Sequence, residues 1–540
     1  MPCPLRILVA CWLCVAPGCK SPEAYRADAD REAYAILDEV RSKLADDLMR
    51  IERPVDTLRE ELLDPARQAE AAPRSLTLVD VLEIAGENSR EFQTRRETLY
   101  LVALDLTLRR WDFSSQGFGG LGAFLSDTGP GEVRGGGDGS LGFSRLFQNG
   151  AEALASIGFT FARDLSGGDG WAAFSNLSLS VTQPLLRGFG RDVVREPLTQ
   201  AERDVLYEAR AFERFRRTFS FDVATRYYGV LGQVETLRNE ELNYANLKQL
   251  RERNQAFAEA GLLSDIQVDQ AKQNELNAEN RLVDARRALQ DRLDDLKFFL
   301  GLPVEARIRL DQDELLDLNR FESEIEDLPE EQAIELALAE RLDHAVVRDR
   351  VIDATRQVNI RANDLLPGLG VGLDARGSSD QNQPFDVDGS NVNWTASLDL
   401  DLPLNRLAER NAYRESLIRL DQARRSVEQS RDSVISQLRD DLRALTAARQ
   451  TFEIQSGAVV LAERRVESAR LNLEAGRAST RDLLESQEAL VSAQNAQIRS
   501  GIDKLLAELA LYRDLELLRV GPQGLFVDVT VLDDAPAPTP

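Results

Sequence analysis

The stretch Glu259-Ala260-Gly261-Leu262-Leu263-Ser264 returns later in the chain as Glu474-Ala475-Gly476-Arg477-Ala478-Ser479. Each copy interrupts a long region with helical character. Upstream of the two glycines, residues 196–260 and 407–475 contain no proline after Pro197. Each region holds roughly 65–70 residues, which as a helix makes a rod on the order of 100 Å at 1.5 Å rise per residue. Gly229 and Gly232 weaken the first region, but an isolated glycine costs a helix only about 1 kcal/mol. Downstream, a second helix of roughly 40 residues, on the order of 60 Å, is expected in each case. A glycine between two helices suits the positive φ of a tight reversal. The chain therefore reads as two long helical hairpins with tips at Gly261 and Gly476.

The helix faces agree. Ala278, Leu282, Ala285, Leu289 and Leu296 fall at 4/3 spacing after the first tip, and Leu483, Ser486, Leu490, Ala493, Ser500, Ala507 and Leu511 after the second. Ser416, Leu420, Ala423, Val427, Ser430 and Val434 continue the pattern before it. This is a coiled-coil seam. Its Ala and Ser residues let helices approach closely, as in a wall of helices side by side. A free coiled-coil rod would give a similar seam.

Working outward, the hairpins belong to an internal duplication, residues 75–303 and 328–520, joined by a turn-rich linker, 304–327. Each half opens on a short amphipathic helix, Val81-Leu82-Glu83-Ile84-Ala85 or Ala333-Ile334-Glu335-Leu336-Ala337. A Gly-rich strand-like stretch follows (117–124; 368–373). Next comes an alternating strand ending in Pro-Leu: Leu177, Leu179 and Val181 before Pro184-Leu185, and Leu398, Leu400 and Leu402 around Pro403-Leu404. Alternation over about 9–11 residues fits a strand of a membrane barrel. One such strand would suit a soluble hairpin equally well; matching pairs in both repeats favour the barrel. Trp111, Phe113, Phe118, Trp171, Phe174 and Trp394 sit near strand ends, as interfacial aromatics do. A few strands cannot close a barrel, and open edges do not persist in lipid, so the chain must oligomerise.

Composition sets bounds. The 540 residues carry a formal net charge of −25, which argues against nucleic-acid binding, because phosphate contacts need basic patches. The four cysteines are Cys3, Cys11, Cys14 and Cys19, which leaves the body without a disulfide or a cysteine metal site. Residues 1–18 hold Arg6 and a short apolar run, Leu5 to Ala16, too short to span and suited to a signal peptide. The run ends Ala16-Pro17-Gly18-Cys19, which resembles a bacterial lipobox with Cys19 as the acylated N-terminus. Plain secretion with cleavage nearby is the alternative. In the bacterial lipoprotein pattern, Lys20 after the cysteine implies the outer membrane. Residues 19–74 form a charged, partly helical extension, and the Pro/Ala-rich end of the tail, 521–540, reads as disordered.

Taken in order, Val181-Thr182-Gln183-Pro184-Leu185, Ala260-Gly261-Leu262, Phe299-Leu300-Gly301-Leu302-Pro303 and Leu365-Leu366-Pro367 resemble the TolC family of outer-membrane efflux proteins over Leu76 to Leu518. The resemblance implies a mainly α fold with a small membrane β-barrel part: long antiparallel hairpins form a periplasmic tunnel, and each subunit of a homotrimer gives four strands to a shared twelve-stranded barrel. It implies a passive exit duct of a tripartite efflux or type I secretion system, served by a periplasmic adaptor and an inner-membrane pump, with no enzymatic role and no cofactor or metal. In the family, carboxylates just after the second tip ring the closed end; the matching residues are Asp482 and Glu485. Asp265, Gln267, Arg477 and Arg481 correspond to contacts that hold the tips closed. Ala260, Gly261, Leu262, Ala475, Gly476 and Arg477 would meet the adaptor. The chain departs from the family between Leu125 and Gly170, which is longer than an outer loop needs. Within it, Leu141 to Phe161 has the pattern of an additional hairpin whose place the sequence leaves open.

A lipid-anchored coiled-coil scaffold without a pore is the competing reading. Two other signals carry little. Gly117-Phe118-Gly119-Gly120-Leu121-Gly122 fits a dinucleotide fingerprint, but no helix follows to receive a phosphate. His344, the one histidine, has no companion for a metal cluster or a catalytic triad.

Overall fold

The computed structural model describes residues 20–44, 74–127, 133–164, 170–315, 329–380, 383, 392–521 and 524–527. The expected signal segment, Cys19, part of the linker and most of the tail lie outside the described residues. In chain order the elements are α1 (Pro22–Leu44), β1 (Arg74–Leu76), α2 (Leu78–Asn88), α3 (Arg90–Asp112), β2 (Gln116–Asp127), β3 (Val133–Leu146), β4 (Glu152–Asp164) and β5 (Ala172–Pro184). Then follow α4 (Arg191–Val194), α5 (Glu196–Glu259), α6 (Asp265–Leu300), β6 (Ile308–Leu310), α7 (Glu330–Glu340), α8 (Leu342–Asn363), β7 (Gly368–Ser378) and β8 (Val392–Asp401). Last come α9 (Leu407–Glu474), α10 (Thr480–Asp514), β9 (Leu518–Gly521) and β10 (Gly524–Val527). The repeat α-α-β…β-α-α is thus present twice, and the long helices end within a residue of the expected positions. Among the described residues, no helix is long and apolar enough to cross a membrane.

The chain divides into two compact units. One draws on residues 1–49, 98–209 and 348–426, the other on 50–97, 210–347 and 427–540. The first holds a six-stranded sheet in the order β2-β3-β4-β5-β7-β8, with every neighbouring pair antiparallel. This corrects the expected four strands per subunit. The long stretch after Leu125 holds both β3 and β4, and the hairpin enters the sheet itself. Below the sheet, Arg203 Nε lies 2.6 Å from Asp353, Arg356 Nε 2.9 Å from Glu196, and the Tyr207 hydroxyl donates to Asp353 at 2.6 Å. These bonds join the two repeats through α5 and α8. The N-terminal extension begins as helix α1, from Pro22, docked on α3 by a Tyr100–Asp30 hydrogen bond and a Tyr34–Tyr100 ring contact at 5.6 Å.

The second unit is built mainly from helices. Gln233 donates to the Ala285 carbonyl at 3.2 Å and Arg281 lies 3.4 Å from Glu240, which sets α6 antiparallel to α5. Asn239 donates to Asn495 at 2.9 Å, which brings α10 against α5 as well. Gln497 donates to Ser456 at 3.3 Å and ties α9 to α10. The two hairpins therefore pack flank to flank. Ala278, Leu282, Ala285, Leu296, Leu483, Ser486, Ser500 and Leu511 of the seam are buried. The expected linker also contributes structure: β6 pairs in parallel with β1. His344 is buried, its ring nitrogen 2.9 Å from Ser430.

At the C-terminal end of α10, Asp441 and Asp514 lie close enough to compete for one negative charge. Burial, and then the charge of Asp514, push the Asp441 carboxyl up to about 7, against an unfolded value near 3.9. Between those values the folded chain keeps a proton that the unfolded chain has released, so stability should fall as pH rises from about 4 to about 7. Asp441→Asn is expected to remove that slope and raise stability at pH 8 by on the order of 1–2 kcal/mol. Thermal midpoints of both proteins across this range provide the check; identical slopes would refute it.

Candidate functional site

The tips are built alike. Gly261 and Gly476 adopt φ of +75° and +69°. Leu262 N–H bonds the Phe257 carbonyl at 2.8 Å and Gly261 N–H that of Ala258 at 2.9 Å; Arg477 N–H bonds Asn472 at 2.8 Å and Gly476 N–H bonds Leu473 at 3.0 Å. Both are Schellman closures, which satisfy the last carbonyls of the incoming helix and need a left-handed residue. Ala260 and Ala475 precede the glycines, and all six expected adaptor-contacting residues are exposed. The chemistry of the two tips differs. The first presents Leu262 at 74% exposure and Ile266 at 69%; the second presents Arg477 and Arg481.

The helices leaving the tips start differently too. Ser264 makes no side-chain cap for α6, where Asp265 is exposed and Gln267 is partly covered. Ser479 and Asp482 form a full capping box on α10: the Asp482 carboxylate accepts the Ser479 N–H and hydroxyl, both at 2.8 Å, and Ser479 Oγ accepts the Asp482 N–H. The Ser479 backbone N–H, then its hydroxyl, hold Asp482 below the usual carboxylate range. One turn on, Glu485 accepts from Arg481 Nε at 2.9 Å. One expected closure residue is thus paired with one expected gate acid on the same helix face. Both acids are exposed.

Beneath the tips Leu247, Leu250, Ala278, Leu483 and Leu484 form a buried cluster, with Leu473 and Val466 packed against it. Behind it sit polar groups that the sequence did not single out. Glu275, itself buried, lies 2.8 Å from Arg251, and Asn495 donates to buried Glu240 at 3.4 Å. Helical spacing alone does not separate these from solvated charges.

The sheet is the second candidate. In an antiparallel ladder, directly paired residues share a face. The register therefore puts Leu121 and Leu125 of β2, Leu141 and Phe143 of β3, Ile157, Phe159 and Phe161 of β4, Leu177, Leu179 and Val181 of β5, Val371 and Leu373 of β7, and Trp394, Leu398 and Leu400 of β8 on one side. Among the described residues its large side chains lie open: Leu121, Trp394 and Leu398 are 73%, 72% and 69% exposed. The opposite side carries Asp138, Ser140, Ser156, Thr160, Asn176, Ser178, Asp374, Ser397 and Asp399, with glycines between. Phe118 and Phe174 depart from the expected role, because they lie on this polar side. Phe118 covers Gly142, where an added Cβ would sit 2.5 Å from its ring.

Solved structures share this fold. CusC, crystallised to follow folding and transmembrane channel formation, aligns at TM-score 0.60 and 14% identity over 87% of this chain and 99% of its own. VceC of Vibrio cholerae aligns at 0.59 and 17% over 81% and 95%, and the CmeC outer membrane channel of Campylobacter jejuni at 0.59 and 14% over 87% and 93%. Among curated proteins, the pyoverdine export outer membrane protein OpmQ of Pseudomonas putida is 29% identical over 307 residues, 54% of this chain and 60% of that relative. The family model described as outer membrane efflux protein matches residues 152–302 and 333–515, more than half of the sequence, and the chain belongs to that family.

Proposed function

We propose that the protein is the outer-membrane exit duct of a tripartite efflux or type I secretion system, a homotrimer that conducts passively and is gated at its hairpin tips. The observation that carries this reading is the sheet: an exposed face dominated by large apolar side chains, backed by a polar one. In water a contiguous apolar face of this kind marks a surface meant to be covered; in a bilayer it faces lipid while the polar side lines an aqueous pore. A coiled-coil scaffold without a pore gives this face no use. The N-terminal Cys19 carries the lipid anchor in this reading. An inner-membrane pump supplies the energy, and a periplasmic adaptor docks on Ala260-Gly261-Leu262 and Ala475-Gly476-Arg477, the exposed Leu262 offering it an apolar foothold. Asp265 and Gln267, with Arg477 and Arg481, supply the contacts that keep the tips closed.

Asp482 and Glu485 form the gate ring. Copies of these acids around an axis draw cations and repel anions. Because its cap holds Asp482 ionised below the usual carboxylate range, its share of the cation preference persists through mild acid. Purified, lipidated protein in a planar bilayer tests the proposal: discrete, cation-preferring steps are expected. Asp482→Asn with Glu485→Gln should lower the cation-to-anion preference by at least about twofold and weaken block by multivalent cations, since Arg481 then stands without its carboxylate. Unchanged selectivity would remove these acids from the gate, and inserted trimer lacking any conductance even with loosened tips would count against the duct.

A further inference from the structure

The strand count carries a consequence for the pore. Strands β3 and β4 cross the whole sheet. Their connecting turn, 147–151, lies at the end where the chain passes into the helices: Asn149 donates to Gln183 Oε1 at 2.9 Å, and Gln183 donates back to the Asn149 carbonyl at 3.2 Å. The hairpin therefore does not end as an outer loop. On the polar side Ser156 meets Ser178 of β5 at 2.7 Å, so the polar side extends onto β4 through Ser156 and Thr160, with Leu154 the one large apolar residue that β4 places there.

The hairpin also has the dimensions of a membrane segment. On its apolar side Arg145 pairs with Ala153 at the helix end, and Arg163 pairs with Gly135 at the far end. Ala155, Ile157, Phe159 and Phe161 lie between them on β4. From the level of Ala153 to Arg163 is about 33 Å along the strand, or roughly 25 Å along the membrane normal at the usual barrel tilt. That matches the apolar band of an outer-membrane barrel, and basic residues at both margins place their charges at the headgroups.

The edges supply the rest. Neither β2 nor β8 has a second neighbour among the described residues, and six strands are too few to close alone. With an even number of antiparallel strands, β2 and β8 run in opposite directions, so β8 of one copy meets β2 of the next in the same antiparallel sense. We propose that β3 and β4 are part of the barrel wall, and that three copies close about eighteen strands around a pore roughly 1.5 times as wide as twelve strands enclose. This rests on the trimeric duct proposed above. The sheet then does not sieve its cargo by size, and that selection falls to the tips.

Single cysteines in the full-length protein, reconstituted in vesicles, test the wall. The chain has no cysteine after Cys19, which the lipid occupies, so each introduced thiol reports alone. At Ile157→Cys and Phe159→Cys, an attached fluorophore should be quenched by brominated lipid and the thiol should resist a charged aqueous reagent. At Ser156→Cys and Thr160→Cys the pattern should reverse. Leu179→Cys and Ser178→Cys on β5 provide the reference. Alternation on β5 with uniform aqueous labelling on β4 overturns the proposal and leaves the duct standing; loss of alternation on both strands means that the barrel reading itself has failed. The mass of the detergent-solubilised particle completes the count: three chains are expected, and two would overturn eighteen strands.

Discussion

Replacing Asp514 with alanine is expected to destabilise the helical unit by about 3–5 kcal/mol, the usual result of stripping the partner from buried charges. The Asp514 side chain is fully buried and lies against Arg214, with Arg513 Nη2 at 2.7 Å and Gln437 Nε2 at 3.0 Å. Burial alone would raise its pKa, but Arg513 and Arg214 outweigh that and hold it low. Without the carboxylate, Arg214 and Arg513 are left with side-chain exposures of 15% and 16%, too little for water to replace the lost charge. Arg217, already pulled down to about 10 by burial, relies on Glu213 and Glu516 in the same cluster. Asp514→Asn keeps the shape and some hydrogen bonds, so its loss should be smaller. A second readout is specific to charge: with Asp514 gone, the Asp441 carboxyl should titrate at lower pH. Denaturation midpoints give the first number and carboxyl titration the second. A loss under about 1 kcal/mol for the alanine variant would contradict the argument.

The second large effect concerns Gly301, which ends α6 at φ +76°. A Cβ there would sit 2.2 Å from the carbonyl oxygen of Asn88 and 2.8 Å from its carbonyl carbon. Both are backbone atoms at the end of α2, so no side chain can swing away. Gly301→Ala should cost roughly 3–5 kcal/mol, left-handed strain and overpacking together. Gly476→Ala is the control. Its φ is similar, but nothing lies within 4 Å of the added atom, so it should cost only about 1–2 kcal/mol. Equal losses at both sites would show that the φ alone matters and that the Asn88 contact yields.

The hairpins were legible because their signals are local. Glycine at a reversal and long proline-free seams fix where α5, α6, α9 and α10 begin and end. The strands β5 and β8 were legible for the same reason, through alternation. Strand β3 was not. Its apolar-side positions near the outer end are Gly135, Gly137 and Gly139, which leave no side chain to alternate. The six-strand count was hidden with it. The Arg214–Asp514 cluster joins residues some 300 positions apart, and no spacing rule reaches that far. At the tips, the sequence pointed to Asp482 and Glu485 as acids on one face. It could not show that one is engaged in a cap and the other in an ion pair, because both bonds depend on how α10 starts.

The hairpin of β3 and β4 leaves and re-enters the sheet at one end, between strands that would be antiparallel neighbours without it. Removing or adding such a unit changes neither the direction of any other strand nor the points at which the helices begin. Under the eighteen-strand proposal, bore becomes a modular property of this scaffold, which an engineer can scale in whole hairpins while the long helices stay as they are.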